Sequence, residues 1–166
     1  MSVLLWVENA RPFYLNELLP RVNDVLKSLL GIKDDIKLKG VQTWKPEENL
    51  QEMVYIELHS PSFGVKVIGE TALVSVIPSE KYKAMCVSPD GWRSKLEYAL
   101  AAAVAIAICE CSESVITDSG GVYTKAPYSQ SAKEFAESIK VAEGFDDFNK
   151  AAHVFISRLP VSSKKN

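Results

Sequence analysis

The chain of 166 residues is poor in the side chains that most often carry chemistry. Its two histidines, His59 and His153, are far apart, and neither has a partner at the His-x-x-x-His spacing of a metal site. Three cysteines are an odd number with no framework spacing, which points to a reducing compartment, the cytoplasm, rather than to secretion. Neither a Walker loop nor a Gly-x-Gly-x-x-Gly turn occurs among the eight glycines, so no nucleotide cofactor is expected. There is no basic excess. Nineteen Lys and Arg against 21 Asp and Glu give a net charge of −2, and Lys37, Lys39, Lys81, Lys83, Lys164 and Lys165 are scattered. That distribution argues against a nucleic-acid partner. The N-terminus lacks a basic start, and its five apolar residues Val3–Val7 read as a strand rather than a signal peptide. The longest apolar run, the eleven residues Ala99–Cys109, falls short of the about 20 that cross a membrane, so no membrane is expected either.

What is present is a folding sequence. A hydrophobic share of 47% and a charged share of 24% are ordinary for a globular chain, and the length suits one domain over residues 1–160, with 161–166 as a disordered tail. The run Ala99–Cys109 lies inside a helix whose start is marked by Ser88 as cap, Pro89 at the first helical position and Asp90 at the positive end. Trp92, Leu96, Leu100, Ala103 and Ala107 follow at helical spacing, while Arg93, Lys95 and Glu97 keep the first two turns amphipathic. Beyond Tyr98 the polar face disappears, and a helix apolar on every side is buried on every side. Its many alanines let neighbours approach closely.

Around that helix the pattern alternates. Val3–Glu8 reads as a strand, and a helix with Val22, Val25, Leu26, Leu29 and Leu30 on one face runs from Pro20 to Gly31. Pro20 should separate it from a turn of helix over Tyr14–Leu19. Ile36–Thr43, Val54–Leu58 and Phe63–Val67 alternate like half-buried strands, and residues 44–49 read as a polar loop. Ala72–Ile77 is apolar enough for a strand covered on both faces. Val115–Thr117 and Val122–Thr124 flank Asp118-Ser119-Gly120-Gly121 as a hairpin. Ser131 opens a capping box with Glu134, and Phe148–Leu159 keeps helical spacing. The expected fold is α+β: a mixed, largely antiparallel sheet packed against the buried Ala-rich helix and further helices, in two or three layers.

Chemistry is sparse. Cys109 and Cys111 sit two apart at a helix end, where side chains diverge, so buried free thiols fit better than joint chelation. Asp146-Asp147 lacks the regular oxygen ligands of a calcium loop. Asp118-Ser119-Gly120-Gly121 resembles the Gly-Asp-Ser-Gly-Gly-Pro stretch of trypsin-like proteases, but Thr117 and Val122 replace its ends and no histidine precedes a cysteine. It also resembles the Asp-Ser-Gly loop of aspartic proteases, which needs a second aspartate from a dimer or duplicated lobe. A small hydrolase pairing Asp118 and Ser119 with His59 or His153 is the enzymatic alternative; a turn in which Asp118 bonds its own backbone is the structural one.

The Ala-rich helix running into Val115-Ile116-Thr117-Asp118-Ser119-Gly120-Gly121-Val122-Tyr123 is similar to segments of bacterial α+β families, some of them immunity proteins of toxin systems. The likeness covers a small part of the chain, mostly helix then hairpin, and implies no functional residues. The remaining surface signal is Trp44 in a charged loop, with Glu47, Glu48 and Glu52 close behind. An exposed tryptophan beside one sign of charge suits a protein partner with a basic surface. The alternative is that Trp44 folds onto the core. The leading expectation is therefore a non-enzymatic binding protein of immunity or accessory type, with a hydrolase and a subunit of a homo-oligomer as rivals.

Overall fold

The computed structural model describes residues 3–90, 94–125, 129–141 and 148–160. Ten strands and four helices follow one another as β1 (Leu5–Glu8), β2 (Phe13–Tyr14), α1 (Leu15–Leu30), β3 (Leu38–Gln42), β4 (Lys45–Asn49), β5 (Tyr55–Ile56), β6 (Phe63–Val67), β7 (Leu73–Ser79), β8 (Ala84–Asp90), α2 (Lys95–Ser112), β9 (Val115–Asp118), β10 (Ser129–Ser131), α3 (Ala132–Ile139) and α4 (Phe148–Ser157). Eight strands form one sheet in the order β10-β9-β1-β8-β7-β6-β3-β4, and β2 with β5 makes a small separate ribbon. All pairings among the described residues are antiparallel. The architecture is α+β, as the pattern predicts.

Alternation decides which side of the sheet is covered. Leu5 and Val7 of β1 stand opposite Val87 and Met85 of β8, and the same row continues through Val76 and Val74 of β7 to Phe63 and Val65 of β6. All of these side chains are buried. The opposite face carries Trp6, Ser88, Ile77, Lys66 and Lys39, each at least partly exposed, with Ser75 and Cys86 buried between them. Ala72–Ile77 is thus covered on one face, not two, and Ile77 is 49% exposed.

The helix α2 lies on the buried face. It touches β1, β7, β8 and β9 on one side and α1, α3 and α4 on the others. Every residue from Ala99 to Cys109 is at most 1% exposed, which is what its lack of a polar face requires. Its start differs from expectation. Ser88, Pro89 and Asp90 end strand β8, and the cap is Ser94, whose hydroxyl accepts from the Glu97 amide at 3.3 Å. Trp92 lies outside the described residues, as do Asp146, Asp147 and the tail 161–166. Glu97, expected on an amphipathic surface, is fully buried; Ser94 and Glu97 together form the capping-box spacing at the positive helix end.

Three further elements depart from the sequence pattern. Pro20 does not divide the first helix: α1 runs unbroken through it, with Leu15 and Leu18 fully buried ahead of it and Pro20 itself exposed. Burial of the first turn outweighs the one backbone bond the proline removes. Residues 44–49 are not a loop, since Lys45–Asn49 pairs with β3. Val122–Thr124 is not a strand; β9 lies between β1 and β10. Ser131 does cap its helix, with the Glu134 amide donating to its hydroxyl at 3.2 Å.

Candidate functional site

The β3–β4 hairpin turns at Thr43-Trp44 and ends the large sheet. Trp44 is 65% exposed, so it does not fold onto the core. The pairing slips inside the hairpin: Gln42 faces Lys45, but Val41 faces Asn49, which leaves Pro46, Glu47 and Glu48 bulged. A bulge, a proline without an N–H and two exposed carboxylates all discourage a further strand from adding to this edge. Recognition here would therefore run through side chains. Lys45 lies 3.7 Å from Glu48, an exposed pair that contributes little to stability. Glu52 is exposed but stands past the end of β4, where its carbonyl accepts from the Asn16 amide at 2.8 Å. The hairpin thus brings Trp44, Glu47 and Glu48 together, and Glu52 belongs to the neighbouring β2–β5 ribbon.

That ribbon holds a surface the sequence pattern does not reveal. Phe13 and Ile56 face inward, so their neighbours Tyr14 and Tyr55 face outward, with ring centroids 4.9 Å apart. Tyr14 is 40% exposed, Tyr55 48% and Met53 67%. In sequence Tyr14 reads as part of a helical turn and Tyr55 as one strand residue among several. Only the pairing of two distant segments makes them a patch.

The Asp118–Gly121 turn is structural in its contacts. Asp118 is 1% exposed. One of its oxygens accepts from the Val122 amide at 3.2 Å, and the other from Tyr123 at 2.7 Å and Thr124 at 3.0 Å. Its carbonyl accepts from Gly121, whose φ of 61° suits glycine. Ser119 donates its hydroxyl to the Leu4 carbonyl at 3.2 Å. Behind the turn the ring of Tyr123 is buried, and burial, with Asp118 and Tyr98 adding to it, holds the phenol well above its ordinary value. It stays a donor and bonds the Tyr98 carbonyl at 2.8 Å.

The histidines do not join that turn. His59 meets Glu57 at 2.5 Å, and His153 meets Lys95 at 2.7 Å. Four surface hollows of about 290 to 600 Å³ among the described residues are lined by neither histidine nor Ser119. Among the described residues no group of His, Cys, Asp and Glu could hold a metal ion, and no helix is long and apolar enough to cross a membrane. The three thiols are free, and burial pushes each of them up, Cys86 to about 11.

No protein family, curated protein or solved structure matches this chain significantly.

Proposed function

We propose that the protein is a non-enzymatic protein-binding module, of immunity or accessory type, that docks a partner with a basic surface through Trp44, Glu47, Glu48 and Glu52. The observation that carries this reading is the exposed Trp44 at the tip of an edge hairpin whose flank is acidic. A large apolar side chain left in water at a protruding turn contributes nothing to the core, whereas in an interface it is the type that anchors binding. The carboxylates beside it would steer a basic partner. Three unpaired cysteines support a reducing compartment, the cytoplasm, as the place of action.

The hydrolase reading finds less support, because Asp118 is fully engaged by backbone amides and the Ser119 hydroxyl is bonded to Leu4. The homo-oligomer reading would make a second copy the occupant of the Trp44 surface. The test is capture of partners from the native host by the immobilised protein, followed by titration of each captured partner with wild type and Trp44→Ala. The reading expects a basic partner whose binding weakens by about 2 kcal/mol or more in the variant. A partner that binds both forms equally would remove this surface from consideration.

A further inference from the structure

We infer that the β2–β5 ribbon is a second docking surface, one that takes an arginine side chain from a basic segment of a partner protein. This deepens the reading of the acidic hairpin, since Glu52 belongs to the ribbon and carries the acidic character across to it. Tyr14 and Tyr55 present two partly exposed rings 4.9 Å apart and tilted by 53°, and the exposed Met53 stands two residues before Tyr55 in the chain. Asn16 holds the thioether in place, its amide donating to Met53 Sδ at 3.2 Å. A tilted pair of phenol rings next to a soft thioether offers π faces and apolar contact to a planar cation, which a guanidinium fills better than an ammonium.

Charge complements this geometry. Residues 13–20 and 46–58, which build the ribbon and its surroundings, contain five glutamates and no lysine or arginine. Glu57 is engaged by His59, while Glu17 and Glu52 are exposed. The flanking arginines are drawn elsewhere: Arg11 reaches Glu113 and Arg21 reaches Glu110, both at the C-terminal end of α2. Lys45, which adjoins the second segment, pairs with Glu48 at 3.7 Å, so an incoming arginine meets the rings together with the exposed Glu17, Glu47 and Glu52.

The experiment uses the full chain and two short fluorescent peptides, an Arg-Gly repeat and its Lys-Gly counterpart. Wild type should bind the arginine peptide about tenfold more tightly than the lysine peptide. The double variant Tyr14→Leu/Tyr55→Leu keeps apolar volume but loses the rings, and it should bind both peptides alike. Side-chain NMR of wild type supplies a readout that does not depend on the variant folding: the Tyr14 and Tyr55 ring resonances should shift on titration with the arginine peptide. Equal affinity of wild type for the two peptides, an arginine preference that survives in the double variant, or unmoved ring resonances would each overturn the inference. With a captured partner the two surfaces separate. Sensitivity to Trp44→Ala alone leaves the hairpin reading standing and removes this one; sensitivity to the tyrosine variant alone does the reverse.

Discussion

Asp118 belongs to a stretch with the look of a nucleophile loop, yet its carboxylate closes the turn by accepting three successive amides. Bonds to a charged acceptor contribute about 1.5–3 kcal/mol each, and removing the acceptor strands buried donors. Asp118→Ala should therefore lower stability by about 3 kcal/mol or more in urea denaturation. Ser119→Ala should change it by less than about 0.5 kcal/mol, because the exposed Ser119 hydroxyl makes a single bond, to the carbonyl of half-buried Leu4. If screens with ester and peptide substrates found an activity that vanished in Ser119→Ala, the binding reading would be lost. The buried thiol of Cys86 carries a separate expectation. Its folded value is raised from 9.0 to about 11 by burial, so its contribution to stability is complete below 9 and is lost as pH rises towards 11. Thermal melts of wild type should fall over that alkaline window more steeply than those of Cys86→Ala. The Asp118 turn was legible because a local Asx-type bond needs only neighbours in sequence. The Tyr14–Tyr55 pair was not, because it depends on a long-range strand pairing.

At the scale of elements, α2 was legible in its character and not in its boundary. An apolar helix can only be a buried one, but the start read at Ser88–Asp90 is taken by strand pairing of β8 with β7, and the helix is capped at Ser94 instead. That strand escaped the pattern altogether: Ala84–Val87 is uniformly buried and does not alternate, and its place is defined by β1 on one side and β7 on the other. Ala103→Asp should abolish soluble folded protein, since an unpaired carboxylate at a fully buried site costs several kcal/mol. An unchanged melting temperature would show that α2 is not central. Gly40 tests the contact of α1 with the sheet. A Cβ there would come within 2.4 Å of Leu15 Cδ2, itself fully buried, so Gly40→Ala should cost about 1–3 kcal/mol. The same contact explains why α1 continues through Pro20, as Leu15 and Leu18 hold its first turn on the core.

For the whole molecule, the division of labour is spatial. The interior is a sheet, a sealed helix and outer helices, and the buried Asp118 carboxylate within it accepts from three backbone amides. The exposed apolar residues at the β3–β4 tip and on the β2–β5 ribbon lie on segments rich in glutamate. Trp44 with Glu47 and Glu48 was visible as a cluster because those residues are close in sequence. The most direct measurement is the association rate of a captured partner with wild type and with Glu47→Lys/Glu48→Lys as ionic strength is raised. Exposed charges are screened over about 8 Å at physiological salt. The account predicts that wild-type association slows as salt increases, and that charge reversal lowers the rate at low salt and flattens its salt dependence while the melting temperature stays near wild type. An association rate indifferent to both salt and charge reversal would contradict it.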